Sequence, residues 1–251
     1  MLLKRLIPVT DYSARFDLAN NITGFNELLE KSFLIEPHTI LNTAHALRYF
    51  EEYFEEKSAI SIGADPLKEW SLIKNKVLDE IKVFDIDTEF NEKMNKFWLK
   101  NDVNIQYSNS DVLVEWGISP YEYRNLILFQ MDYIFNDNEI QKILEQSFNY
   151  GIDRCFVISP SIFHFRLPKS LELNEFVIPV HDFLHSIFYF VNSLKLNFLN
   201  NKDQPMMMTY KRSYRRFVAL FKKNGYKVES SNVILNPNGS FHFFVFKKGD
   251  K

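Results

Sequence analysis

Gly63 and Asp85 each directly follow a short apolar run, and together they could form a ligand site. Gly63 ends the run Ala59–Ile62, and Asp85 ends the run Ile81–Phe84. If both runs are parallel strands, these residues lie at carboxyl ends, where open α/β sheets bind ligands. Glycine permits a positive φ and a close backbone approach. The alternatives are an ordinary turn at Gly63 and a solvated carboxylate at Asp85.

Three histidines, His164, His181 and His185, occur in an apolar, aromatic-rich stretch of the chain. His181 and His185 are four positions apart, so a continuous helix would place them on one face. Two imidazoles without a third ligand do not define a metal centre, and we predict no metal site. The remaining interpretations are a general base, an acceptor contact, or a structural residue.

The chain has one dense basic stretch, between residues 211 and 227. We interpret it as the solvated face of an amphipathic helix. The alternative is a contact for phosphates, either on a nucleotide-linked acceptor or on RNA. Its basic residues are Lys211, Arg212, Arg215, Arg216, Lys222, Lys223 and Lys227.

Strand and helix patterns alternate five times between residues 58 and 160, which is typical of parallel βαβ units. Tyr226–Leu235 and Phe241–Lys247 flank Asn-Pro-Asn-Gly and predict an antiparallel hairpin. The fold class is therefore α/β: a doubly wound, mostly parallel seven-stranded sheet with a C-terminal hairpin. Residues 1–57 predict a helical cap, and residues 58–251 predict the main domain. In that domain, the insertion 161–209 is a candidate lid over an acceptor.

Composition restricts the class of protein. Aromatic residues make up 16% of the 251 residues, so we expect an aromatic-rich core. A net charge of -2 disfavours a protein whose main partner is nucleic acid. Cys155 is the single cysteine and cannot form an internal disulfide. Because no run approaches the roughly 20 apolar residues of a membrane span, we predict a soluble, cytoplasmic protein without a membrane span.

The alternation closed by a hairpin resembles the Rossmann-like (class I) S-adenosylmethionine-dependent methyltransferase family, over about residues 58–248. Gly63 matches the first glycine of the family's turn after the first strand. Ser61 stands at the family's acidic position, and Asp65 and Leu67 replace the later glycines. The resemblance implies S-adenosylmethionine as the cofactor, bound at a degenerate glycine-rich motif.

The resemblance also implies roles for individual residues. Asp85, about 20 positions after Gly63, would accept hydrogen bonds from the ribose hydroxyls, with Asp87 as a neighbouring alternative. Asp111 would meet the adenine amine. Residues from 130 to 133 would face the methionine part and the acceptor. The implied cofactor-binding residues are Ser61, Gly63, Ala64, Asp85, Asp111 and Gln130.

The implied reaction is methyl transfer to an oxygen or nitrogen of a small-molecule or sugar-type acceptor. Asp132 or His181 would remove the acceptor's proton, and Tyr133, His164 and His185 would bind the acceptor. Two alternatives stay open. One is a non-catalytic relative that has lost the cofactor, which the altered turn would fit. The other is an RNA-modifying protein that uses the basic stretch 211–227.

Overall fold

A computed structural model describes residues 2–8, 37–114, 116–160, 162–163, 187, 191, 206–236 and 239–249. The chain forms two compact units. The first comprises residues 1–10, 130–145 and 157–251, and the second comprises residues 11–129 and 146–156. His164, His181 and His185, most of the predicted lid 161–209 and the greater part of residues 1–36 lie outside the described residues.

Polar residues cap the N-termini of helices in the described part of the chain. Asp65 caps α2 by accepting a hydrogen bond from the Lys68 amide, as expected of a residue at that position. Asn136 caps the helix that begins at Asp137, since its Oδ1 accepts hydrogen bonds from the Asn138 and Glu139 amides. The helices are α1 Pro37–Phe50, α2 Pro66–Lys74, α3 Thr88–Lys100, α4 Asp137–Asn149 and α5 Tyr214–Lys223, and a 3-10 turn follows α1 at Glu51–Tyr53.

Seven strands form one mixed sheet with the order β4-β3-β2-β5-β6-β10-β9. The pairs β2–β3, β3–β4 and β2–β5 are parallel, and β9–β10 is an antiparallel hairpin. The predicted seven-stranded, mostly parallel sheet with a C-terminal hairpin is therefore confirmed. These strands are β2 Ser58–Ile62, β3 Glu80–Phe84, β4 Ile105–Ser108, β5 Asn125–Phe129, β6 Arg154–Ser159, β9 Tyr226–Asn236 and β10 Gly239–Lys248.

The chain order reverses between β2 and β5. From β2 the chain continues to β3 and β4 on one side, and β5 then pairs with β2 on the other side. Ligands bind outside the carboxyl ends of the strands at such a switch point. The turn that begins at Gly63 lies at this position.

A second sheet of three strands was not predicted. Its order is β1-β8-β7, with β1 at Leu2–Pro8, β7 at Ile162–Phe163 and β8 at Met206–Ser213. β1 pairs antiparallel with β8. The strand β1 occurs where we predict helix, because its sequence, Leu-Leu-Lys-Arg-Leu-Ile-Pro, does not alternate apolar and polar residues as an exposed strand does.

Aromatic side chains fill the core of each unit, as the composition predicts. In the second unit, Phe54 stacks on Phe156 with ring centroids 3.8 Å apart. In the first unit, Phe221 stacks on Phe246 at 3.7 Å, and Phe217 packs beside them. These rings are buried. Among the described helices, none is long and apolar enough to cross a membrane.

Candidate functional site

The turn after β2 has the backbone conformation that its glycine predicts. Gly63 has φ +80°, in the left-handed region that favours glycine. Its amide donates a hydrogen bond to the Phe84 carbonyl at 2.8 Å, which joins the end of β2 to the end of β3. Ser61 lies two positions earlier, inside β2, and is only 3% exposed. The strand ends are therefore held together where the site is predicted.

Asp85 contacts this turn directly. Its Oδ2 accepts a hydrogen bond from the Ala64 amide at 2.9 Å, and its Oδ1 accepts one from the Asp87 amide at 3.0 Å. An ionised carboxylate is an acceptor-only group with about four acceptor positions, which is the chemistry that ligand hydroxyls require. The structure thus brings together Gly63, Ala64 and Asp85. The alternative residue Asp87 caps α3 instead, accepting from the Phe90 amide.

Ile86 was missed by the sequence reasoning. This apolar side chain is 87% exposed and lies between Asp85 and Asp87. Large exposed apolar residues at a ligand-binding edge provide a flat surface for an apolar ring. The signal in the sequence was present: an isoleucine that continues the apolar run of β3 beyond its carboxyl end.

Asn91, in the first turns of α3, was also missed. It is 1% exposed, and its Nδ2 donates to the Asp85 carbonyl at 2.8 Å and to Asn109 Oδ1 at 2.5 Å. This amide therefore connects the segment after β3 with the segment after β4. No spacing rule identifies such a residue, because its partners are distant in sequence.

Asp111 lies in the segment after β4 and is exposed. Its Oδ1 accepts a hydrogen bond from the Leu113 amide at 2.9 Å, which closes a short turn. Because β3 and β4 are parallel neighbours, Asp111 and Asp85 follow strands that end at the same edge of the sheet. This is the edge at which the adenine contact is predicted.

Four ionisable residues interact at this turn: Asp65, Lys68 and Glu69 at the start of α2, and Tyr107 in β4. Glu69 Oε1 accepts from the Asp65 amide at 2.9 Å, and Tyr107 donates its hydroxyl hydrogen bond to Glu69 Oε2. Burial raises the pKa of Glu69 to about 8, against the hydrogen bonds from Asp65 and Tyr107, which lower it. Burial and the Glu69 carboxyl likewise raise the pKa of Tyr107. Lys68 forms an ion pair with Asp65.

In the first unit, Gln130 lies directly after β5 in a strained conformation. Its φ is +59°, which is uncommon for a residue other than glycine. Its amide donates to the Ile158 carbonyl at 2.7 Å. Its Nε2 is buried and makes no hydrogen bond with any described residue. A strained residue with a buried, unsatisfied donor is typical of ligand sites.

Asp132 and Tyr133 follow Gln130. Asp132 is 1% exposed, and its Oδ2 accepts a hydrogen bond from the Ser159 hydroxyl at 2.6 Å. The Tyr133 carbonyl accepts from the Tyr210 amide at 2.7 Å. Ser159 was not predicted, and it positions the carboxyl group that we propose as the base. Their roles in chemistry stay predictions.

The basic stretch is not one solvated face. Lys211 and Arg212 belong to β8, not to a helix, and are 2% and 0% exposed. Arg212 and Arg216 both donate to Asp137, at 2.7 and 2.6 Å. Burial of Asp137 opposes its ionisation, but these two hydrogen bonds outweigh it and lower its pKa. Five basic residues of the stretch remain exposed, namely Arg215, Arg216, Lys222, Lys223 and Lys227.

No group of three or more His, Cys, Asp or Glu side chains among the described residues could hold a metal ion. The adenosyl end of S-adenosylmethionine fits the residues present in the second unit: Asp85 offers acceptors for hydroxyls, and Ile86 offers an apolar surface. In the first unit, the Gln130 side-chain Nε2, which has no hydrogen-bond partner among the described residues, can donate a hydrogen bond to a ligand.

Comparison with known proteins supports the fold. No family model and no curated protein matches the sequence. Among solved structures, the methyltransferase SibL superposes with a TM-score of 0.60 and 12% identity, over 94% of this chain and 62% of SibL. The pyocyanin biosynthetic protein PhzM gives a TM-score of 0.59 and 12% identity, over 93% of this chain and 61% of PhzM.

A third similar structure is human N-acetylserotonin methyltransferase in complex with S-adenosylmethionine. Its TM-score is 0.58 at 13% identity, and the match covers 97% of this chain and 61% of the human protein. The present chain thus spans about three fifths of the length of each of these three proteins. The sheet order, the hairpin and these superpositions agree: the chain has the fold of the class I S-adenosylmethionine-dependent methyltransferases.

Proposed function

We propose that this chain is an S-adenosylmethionine-dependent methyltransferase that transfers a methyl group to an oxygen or nitrogen of a small-molecule or sugar-type acceptor. The observation that carries the proposal is the junction at the end of β2 and β3. There the Gly63 turn, the Asp85 carboxylate and the exposed Ile86 side chain lie together. The similar structures include S-adenosylmethionine-dependent enzymes, which supports the choice of cofactor.

Each residue of this junction has a distinct task in binding. Asp85 accepts hydrogen bonds from the two ribose hydroxyls while the Ala64 and Asp87 amides fix its orientation. Ile86 packs against the adenine ring, and Asp111 accepts from the adenine amine. Asn91 holds the Asp85 and Asn109 segments at a fixed separation. Binding thereby aligns the cofactor before the acceptor arrives.

The chemistry requires little further help from the protein. When bound, S-adenosylmethionine supplies an electrophilic methyl group on a sulfonium sulfur. The protein must hold the acceptor atom in line with that methyl group and remove a proton from a hydroxyl acceptor. Asp132, oriented by the Ser159 hydroxyl, is our proposed base, and His181 is the alternative. Gln130 binds the cofactor, and Tyr133, His164 and His185 contact the acceptor.

One observation favours a second candidate, a non-catalytic scaffold. In the glycine-rich turn of a nucleotide-binding site, backbone N–H groups approach the ligand. Here the Gly63, Ala64 and Asp65 amides already donate to Phe84, Asp85 and Glu69. A turn whose donors are all used inside the protein is what loss of the cofactor would leave.

Titration calorimetry with S-adenosylhomocysteine separates the two candidates. The enzyme should bind with a dissociation constant on the order of micromolar. The Asp85→Asn variant should bind at least about tenfold more weakly, because the ribose loses charged acceptors. Asp102→Asn, an exposed residue in the loop before β4, is the matched control and should bind as the wild type does. No binding at millimolar ligand would favour the scaffold.

A further inference from the structure

The turn after β2 has an ion pair where the family has glycine. Asp65 is two positions after Gly63, and its carboxylate accepts a hydrogen bond from the Lys68 amide at 3.2 Å. The Lys68 ammonium forms an ion pair with the other oxygen of the same carboxylate. The Lys68 side chain is 2% exposed, whereas the Asp65 side chain is 25% exposed. The Asp65 carboxylate is therefore partly exposed to solvent at the turn, and the Lys68 ammonium that pairs with it is buried.

The turn itself offers no main-chain donors to a ligand carboxylate between residues 63 and 66. The Gly63, Ala64 and Asp65 amides are used by Phe84, Asp85 and Glu69, and residue 66 is a proline without an N–H group. The electrostatic balance of side chains must therefore decide whether this turn tolerates an anionic group.

The side chains at the turn are mostly acidic. Asp65, Glu69 and Asp85 lie around it, and the Lys68 ammonium pairs with Asp65. Because burial raises the pKa of Glu69 to about 8, that residue is mostly protonated at pH 7. The Asp65 carboxylate, which is partly exposed at the turn, is the group that the Lys68 ammonium pairs with.

We propose that Lys68 determines ligand specificity at this turn: by neutralising Asp65, it allows an adenosyl ligand with a free amino-acid carboxylate to bind. The inference rests on the proposed function, because it concerns the same adenosyl site. Lys68 acts through Asp65 and does not itself contact the ligand, so it is a positioning residue. Without its charge, the Asp65 carboxylate repels the carboxylate of the ligand.

Two ligands that differ at the amino-acid end test this proposal. S-Adenosylhomocysteine carries the carboxylate, whereas 5′-methylthioadenosine has the same adenosyl group and sulfur but no amino acid. The Lys68→Met variant should bind S-adenosylhomocysteine at least about tenfold more weakly, while its affinity for 5′-methylthioadenosine stays within about twofold. Calorimetry of both ligands at pH 7 measures the difference.

The double variant Asp65→Asn/Lys68→Met is the decisive control. Asparagine retains the helix cap but removes the charge, so this variant should recover most of the lost affinity for S-adenosylhomocysteine. Thermal melting confirms that both variants are folded. Equal weakening of both ligands by Lys68→Met, or failure of the double variant to recover, would show a purely structural ion pair and overturn the inference.

The outcomes also separate this inference from the proposed function. Wild-type protein that binds both ligands, with Lys68→Met indistinguishable from it, refutes the inference alone. Wild-type protein that binds neither ligand at millimolar concentration refutes the proposed function, and the inference with it.

Discussion

Glu69 shows how burial alters a single carboxyl group. It is 2% exposed, and it accepts hydrogen bonds from the Asp65 amide in the turn and from the Tyr107 hydroxyl. Its pKa rises from 4.5 to about 8, chiefly because burial disfavours the charged form. The folded protein therefore binds this proton more tightly than the unfolded chain does.

The pH dependence of stability follows from this difference. Because the pKa of Glu69 is raised in the folded state, this residue contributes to the free energy of unfolding. The contribution is complete below about pH 4.5 and is lost as the pH rises through about 8. The amide of a glutamine at position 69 resembles the protonated carboxyl group and does not ionise, so Glu69→Gln keeps this contribution as the pH rises. We expect the free energy of unfolding of Glu69→Gln, relative to that of the wild type, to increase by about 1.4 kcal/mol per pH unit between pH 5 and 8. Over that range the increase amounts to a few kcal/mol.

Urea unfolding at pH 5 and pH 8.5 measures the Glu69 effect. Tyr107→Phe, which removes the hydroxyl donor but leaves the carboxyl group buried, should keep a pH-dependent stability. A constant difference between Glu69→Gln and the wild type at both pH values would show that the carboxyl group is not protonated in the folded protein.

The exposure of the Ile86 side chain allows its proposed contact with adenine to be tested without loss of stability. Because its side chain is 87% exposed, Ile86→Ala should leave the stability of the free protein unchanged within about 0.5 kcal/mol. If the side chain packs on adenine, the same change should weaken S-adenosylhomocysteine binding by about five- to tenfold, through lost apolar burial. Calorimetry measures the affinity.

Leu99 provides the matched control for Ile86. It is also a large apolar residue, 84% exposed, and lies near the end of α3. Leu99→Ala should not change ligand affinity. Equal affinities for Ile86→Ala and the wild type would exclude Ile86 from the adenine contact.

At the scale of elements, Arg212 holds the segment before α4 in place. Its guanidinium pairs with Asp137 and donates to the carbonyls of Asp132 and Phe135. It is fully buried, and truncating one member of a buried ion pair leaves the other group uncompensated. We expect Arg212→Met to destabilise the protein by about 3–5 kcal/mol.

The neighbouring arginine Arg215 is the control for this substitution. It is exposed on α5, so Arg215→Met should change the free energy of unfolding by less than about 0.5 kcal/mol. Denaturant unfolding measures both variants. Similar effects of the two substitutions would contradict the assignment of Arg212 as an internal support.

The elements differ in how well their sequences predicted them. The apolar runs at β2, β3 and β6 end at Gly63, Asp85 and Ser159, so strand type and position followed directly. β8 was missed because its cationic residues, Lys211 and Arg212, resemble an exposed helix face. Their burial depends on Asp137 and on carbonyl groups far away in sequence, which no local pattern contains.

At the scale of the whole molecule, the sequence predicted a doubly wound, mostly parallel sheet with a C-terminal hairpin, and it placed Gly63 and Asp85 at the carboxyl ends of strands. Gly63 and Asp85 could be chosen because strand ends share an edge in parallel sheets. The supporting residues Asn91 and Glu69 could not be identified from the sequence, since their roles come from three-dimensional contacts with Asp85 and Asp65. The acceptor is likewise set by side chains that no motif identifies.

A crystal structure with S-adenosylhomocysteine soaked into the protein tests the central claim most directly. We predict the ribose hydroxyls within about 3 Å of the Asp85 carboxylate and the adenine ring against Ile86. Ligand density elsewhere in the protein, with no ligand atom within hydrogen-bond distance of the Asp85 carboxylate, would contradict it.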